Sequence, residues 1–192
     1  RAIGGMGSSY ETQGTSKYQI ADNSTSAIYQ GDLCMTGGYN SDQTDANSVA
    51  VAVGYISCSS VTENILNFGV FNGCFYIDPT TAKPTWKNYY PGAVNITTGT
   101  IDAYCYDNPQ QLYEVQASGS LAQTDMGNLI DTNTYVAGST INGHSKEELA
   151  ATVTGSGATA QWRLIRGSEE VGNNDKGSAN ANWVVRLNES VY

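Results

Sequence analysis

Phe68-Gly-Val-Phe-Asn-Gly-Cys-Phe-Tyr-Ile77 decides the fold class. It consists of two short apolar runs split by Asn72-Gly73, and each run is the length of a strand. An Asn-Gly pair between two such runs predicts a tight hairpin, because a type I′ turn needs positive φ at both central residues. Outward from this stretch the pattern repeats. Asp32-Leu-Cys-Met35, Ser48-Val-Ala-Val-Ala-Val53, Ala103-Tyr-Cys-Tyr106, Leu112-Tyr-Glu-Val115, Ala160-Gln-Trp-Arg-Leu-Ile165 and Trp183-Val-Val-Arg-Leu187 all read as strands. Gly37-Gly38, Asp78-Pro79, Pro91-Gly92, Asn108-Pro109 and Asn142-Gly143 punctuate them.

Helical periodicity is nearly absent. Ser120-Leu-Ala-Gln-Thr-Asp-Met-Gly-Asn-Leu-Ile130 and Ser145-Lys-Glu-Glu-Leu-Ala150 are each expected to give one or two turns. Short strands separated by turns imply a mainly β fold, an antiparallel barrel or sandwich. Residues 1–16, RAIGGMGSSYETQGTS, have the composition of a flexible or extended arm that orders only against a partner. The expected organisation is therefore an arm over 1–16 and one β-rich domain over 17–192. The polar stretch 167–181, GSEEVGNNDKGSANA, lies between two strong strands and reads as a long exposed hairpin loop.

The 192 residues suffice for a real core, and 40% hydrophobic with only 14% charged residues excludes a disordered chain or a coiled coil. Nine Lys and Arg against eighteen Asp and Glu leave a net charge of −9, which opposes binding to nucleic acid or to an anionic membrane surface. No apolar run approaches the roughly 20 residues of a membrane-spanning helix.

Cys34, Cys58, Cys74 and Cys105 contain no Cys-x-x-Cys pair, and with one histidine in the chain they do not suggest structural zinc. Their strand-like apolar contexts favour free, mostly buried thiols over two disulfides. His144 follows a turn signal and has no nucleophile motif beside it, so it reads as an exposed turn residue. Glu114, Asp107, Asp125 and Asp131 could converge as a glycosidase pair, but nothing in the sequence singles out two of them. Asn173-Asn-Asp175 is oxygen-rich yet lacks the carboxylate spacing of an EF-hand loop. There is no P-loop. The expectation is a non-enzymatic protein with no catalytic residues, no cofactor and no metal.

Aromatic residues are the feature most suited to binding. Trp162, Trp183 and Tyr104 lie within strands and read as core, whereas Trp86, Tyr89 and Tyr90, in a turn-rich segment between Pro84 and Pro91, are candidate interface residues. Tyr10 is the corresponding candidate in the arm.

The segment from Gly69 to Pro79, followed by Trp86-Lys-Asn-Tyr-Tyr-Pro-Gly92, resembles the capsid decoration or cement proteins of tailed bacteriophages. Gln30-Gly-Asp-Leu-Cys34, Tyr113-Glu-Val-Gln116, residues 138–145, Gln161-Trp-Arg-Leu-Ile165 and Ala179-Asn-Ala-Asn-Trp-Val-Val-Arg-Leu-Asn188 are similar to that family in the same order. The four cysteines and the glycine-rich arm depart from its pattern. The resemblance implies a virion protein assembled in the bacterial cytoplasm and placed on the outer capsid surface. There it would cement neighbouring major capsid subunits and associate with itself as a homotrimer. A rival expectation is a carbohydrate-binding or adhesin domain that stacks host-surface glycans on its exposed Trp and Tyr.

Overall fold

Along Ile101-Asp-Ala-Tyr-Cys-Tyr106 every second side chain is buried, Ile101, Ala103 and Cys105 facing inward, which is the signature of a strand with one covered face. The other strands are less regular, and β11, for instance, buries three residues in a row, Trp183, Val184 and Val185. The structure is a computed structural model and describes residues 2–4, 14–21, 24–36, 56–58, 67–96, 99–133, 136–155 and 159–188. Among them run the strands β1 Ala2–Gly4, β2 Ser16–Ile20, β3 Leu33–Thr36, β4 Ile56–Cys58, β5 Asn67–Ile77, β6 Pro84–Lys87, β7 Ile101–Tyr106, β8 Leu112–Gln116, β9 Leu129–Ile130, β10 Trp162–Gly167 and β11 Asn182–Leu187.

Two antiparallel sheets result. The first has the order β1-β8-β11-β10-β9; the second has β2-β7-β5-β3-β4, with β6 paired to β5 beside it. The second sheet curls until its end strands β2 and β4 touch, which makes it a half-barrel. It encloses a core of Tyr18, Ile20, Ile28, Phe71, Tyr76 and Tyr90 among others. A second core lies on the first sheet around Tyr113, Trp162, Leu164, Trp183 and Val185, and Leu33 and Val70 of the half-barrel join it, so the two sheets share apolar contact.

The hairpin expected at Asn72-Gly73 does not form. Both apolar runs belong to one eleven-residue strand, β5, and neither Asn72 nor Gly73 has positive φ. The pair instead marks an irregularity, where the register with β7 slips from Phe71 opposite Cys105 to Gly73 opposite Tyr104. Glycine is required there by crowding: a Cβ on Gly73 would lie 2.6 Å from Cζ2 of Trp86 and 2.9 Å from the Lys87 carbonyl. Gly69, at the close crossing of β5 and β7, meets the same restriction from the Tyr106 carbonyl. The real hairpin closes six residues later, from β5 into β6. There the Asp78 carboxylate accepts the Thr80 and Thr81 amides at 2.8 and 2.9 Å, and the Asp78 amide donates to Lys83 at 3.0 Å.

Other expectations shift for equally local reasons. Only Gln123–Asp125 is helical in the first candidate segment, a single 3-10 turn in which the Asp125 carboxylate accepts the Ala122 amide at 2.7 Å. The segment 145–150 is not helical. Ser145 Oγ takes the Glu147 amide at 3.0 Å, and the Leu149 and Ala150 amides donate to Gln116 and Asp131 at 2.9 and 2.8 Å, so tertiary partners consume what a helix would need. Residues 2–4 of the expected arm pair with β8 as a strand of the first sheet. The strand expected at Ser48–Val53 lies outside the described residues.

The polar stretch after β10 is the exposed β10–β11 loop that its composition implies. Within it the Ser178 hydroxyl donates to Asp175 at 2.8 Å, Asn173 Nδ2 donates to Asn182 Oδ1 of β11 at 2.7 Å, and the Asn180 amide donates to the Ala117 carbonyl at 3.0 Å. Cys74 and Cys105 are free buried thiols, and Cys34 is buried with its sulfur 3.9 Å from the Asp32 carbonyl; the Cys58 side chain lies outside the described residues.

Candidate functional site

The β5–β6 hairpin sets the geometry of the most exposed aromatic surface. Register pairs Phe75 with Trp86 and Ile77 with Pro84, so these side chains stand on the outer face of the half-barrel while Cys74 and Tyr76 point into its core. Trp86 is 52% exposed, and Phe75 and Ile77 are each 37% exposed. Tyr104 on β7 lies against the indole with ring centroids 5.2 Å apart at 49°. Tyr104 is therefore a half-buried member of this outer face rather than core, whereas Trp162 and Trp183 are buried as expected. Next to it, Lys17 on β2 pairs with Asp102 on β7 at 2.8 Å, and this partner raises the Lys17 pKa.

Of the nominated residues that are described, Trp86, Tyr89 and Tyr90, only Trp86 belongs to this surface. Tyr89 is half-buried and stacks on Tyr29 at 5.7 Å and 7°, with the Lys87 ammonium 5.9 Å from its ring. Tyr90 is fully buried. It pairs with Ile28 through two backbone bonds of 3.0 and 2.7 Å, and its hydroxyl donates to the Ser24 carbonyl at 3.0 Å, so it is a core residue and not an interface residue. Tyr10 lies outside the described residues. The turn expected at Asn72-Gly73 hides the pairing of Phe75 and Ile77 with β6 that a continuous β5 makes, and Tyr104 reads as core only because it lies within a strand.

A second candidate is a cleft of about 870 Å³ between the two sheets, lined among others by Gln30, Asn72, Glu114, His144, Glu147 and Glu148. Its floor is tied by backbone bonds from Gln30 to Gly143 and from Ser145 to Gln30, both 2.9 Å. Glu147 accepts the Leu33 amide at 3.0 Å; burial, reinforced by the charge of Asp32, pushes its carboxyl up to about 8. Glu114 accepts a short hydrogen bond from the Ser168 hydroxyl. His144 is exposed directly after its turn. The other carboxylates considered for glycoside chemistry serve separate local roles, Asp107 accepting the Tyr18 hydroxyl at 2.8 Å and Asp125 capping its 3-10 turn. Glu114 alone of that set reaches the cleft.

Among the described residues no cluster of three or more His, Cys, Asp or Glu side chains is arranged to hold a metal ion, and no helix is long and apolar enough to cross a membrane. Fold and surface together define a mainly β, two-sheet domain with an exposed aromatic face on a hairpin. No protein-family model, curated protein or solved structure matches the chain.

Proposed function

We propose that this chain is a non-enzymatic virion structural protein that binds the outside of an icosahedral phage head and cements neighbouring major capsid subunits. The observation that carries the reading is the surface of Trp86, Phe75 and Ile77 on the β5–β6 hairpin with Tyr104 of β7 against the indole, large apolar groups where a partner protein can cover them. The net charge of −9 favours the outer face of a shell, away from packaged DNA, and the resemblance in the β5–β6 region points the same way. Repeated copies on a lattice turn modest interfaces into substantial stabilisation, and association as a homotrimer would suit threefold positions.

The test is uptake of purified protein by capsids that lack it. Saturable, stoichiometric binding is expected, with Trp86→Ala weakening it at least tenfold while circular dichroism stays unchanged. Equal uptake of Trp86→Ala would sink the assignment of this face. The exposed, tilted Trp86 and Tyr104 rings also favour a second reading, sugar stacking on the same face. Glycan-array binding that disappears in Trp86→Ala, combined with no capsid uptake, would establish that reading instead.

A further inference from the structure

We infer that residues 143–150 form a proton-controlled strap across the seam between the two sheets, closed while the Glu147 carboxyl holds its proton and released at Glu147 when the proton leaves. The inference does not depend on the function proposed above. It begins with the backbone. At one end the strap is bonded to the half-barrel side, the Gln30 amide donating to the Gly143 carbonyl and the Ser145 amide to the Gln30 carbonyl, both at 2.9 Å. At the other end it is bonded to the first sheet and its continuation, the Leu149 amide donating to the Gln116 carbonyl and the Ser118 amide to the Leu149 carbonyl, again at 2.9 Å. Between these anchors the Glu147 carboxyl reaches back to the half-barrel and accepts the Leu33 amide of β3 at 3.0 Å. The middle of the span is thus tied down by a side chain that can ionise.

The surroundings of that carboxyl make the tie conditional. Glu147 and Glu148 line both the open cleft and a deeper pocket of about 30 Å³ that Tyr113 and Trp162 also line, so Glu147 stands between solvent and the apolar core of the first sheet. Asp32, fully buried just before β3, acts on it with a like charge, and ionising Glu147 in place sets a second negative charge against the first in a poorly solvated site. The other titratable groups around it are Glu114 and Tyr113 of β8, Tyr106 of β7 and, on its own segment, His144, Lys146 and Glu148. Lys146, the cation of this set, is exposed and gives the ionised form little support where it is buried.

The cleft beside it offers a way out. By turning into the cleft the carboxylate regains water and leaves Asp32, at the cost of its hydrogen bond to the Leu33 amide. Both anchors stay bonded, so the release is local: the middle of the strap lifts from β3 and the cleft widens along that wall. The carboxyl is pushed up to about 8, which sets the change just above neutral pH.

The test is amide exchange by NMR on the full-length chain at pH 6 and pH 8.5, each rate taken relative to the unfolded chain at the same pH. Leu33, whose amide bonds Glu147, reports the strap; Leu164, whose amide bonds the Asn128 carbonyl at 3.0 Å, reports the rest of the fold. Protection of Leu33 relative to Leu164 should fall roughly tenfold or more as the pH rises. Glu147→Gln should hold that ratio constant. In the unsubstituted chain the chemical shift of the Glu147 carboxyl carbon should titrate with the same midpoint as the loss at Leu33, a readout that needs no variant to fold. Equal losses at Leu33 and Leu164 would show the whole fold weakening together and overturn the strap. A constant ratio, two different midpoints, or the same fall in Glu147→Gln would overturn it equally.

Discussion

The Trp86 indole lies directly over Gly73, so close that a Cβ at that glycine would sit 2.6 Å from ring atom Cζ2. One contact thereby links a strand interior to the exposed aromatic face. Gly73→Ala is expected to push the indole off β5 or to bend the strand away from the Lys87 carbonyl, which also approaches to 2.9 Å. Overpacking of this kind costs about 1–3 kcal/mol. Urea denaturation should register the loss, and Trp86 emission should shift as the ring leaves Tyr104. An alanine variant with unchanged stability and spectrum would refute the packing argument.

The same pair shows how far the sequence could be read. Short apolar runs between turn signals correctly implied a mainly β, antiparallel fold and placed β7, β8, β10 and β11, although only β7 buries every second residue. Asn72-Gly73 misled because local turn preference and tertiary crowding select the same residues. Glycine suits a positive φ, and it equally suits a strand with an aromatic ring pressed against it. β6 escaped notice because Pro84-Thr-Trp-Lys87 carries little apolar periodicity and exists by pairing with β5. The turn-rich segment between Pro84 and Pro91 makes Tyr90 a candidate interface residue, yet its pairing with Ile28 draws it inward. Long-range pairing decides these cases, and no local window contains it.

The two core tryptophans should respond differently to loss of the indole nitrogen. Trp162 Nε1 donates to Thr132 Oγ1 at 2.9 Å, and its ring meets Tyr113 edge-on at 5.6 Å and 71°. Trp183 is fully buried, and its Nε1 finds no hydrogen-bond partner among the described residues. Trp162→Phe removes a made bond and leaves the Thr132 hydroxyl buried without that donor, whereas Trp183→Phe removes an unmade one. The first should cost about 1–2 kcal/mol more than the second. Equal losses in matched urea titrations would contradict this distinction.

Cys74 should be chemically silent while the chain is folded. Burial pushes its thiol up to about 12, only partly offset by the Lys87 ammonium, and its Sγ lies 3.6 Å from the Tyr89 carbonyl. Because the thiolate is the reactive form, alkylation of Cys74 at pH 8 should follow global unfolding, with mass spectrometry showing modification only in denaturant. Rapid labelling of the native protein would show that the β5–β6 edge opens locally.

Glu147 should make the fold weaken as pH rises. Its carboxyl is raised from about 4.5 to about 8, first by burial and then by Asp32, against the opposing hydrogen bond from the Leu33 amide. Glu114, Glu148, His144 and Lys146 line the same cleft. Between those two values the folded chain keeps a proton that the unfolded chain has released, so stability falls with pH across that window and levels off above it. Glu147→Gln keeps an oxygen for the Leu33 amide without the charge. The variant should gain on the wild type from pH 5 to pH 8, by on the order of a few kcal/mol at the upper end. Urea titrations at pH 5, 7 and 9 read this directly. A wild-type curve that stays parallel to that of the variant would place the origin of any pH dependence elsewhere than the Glu147 and Asp32 contact.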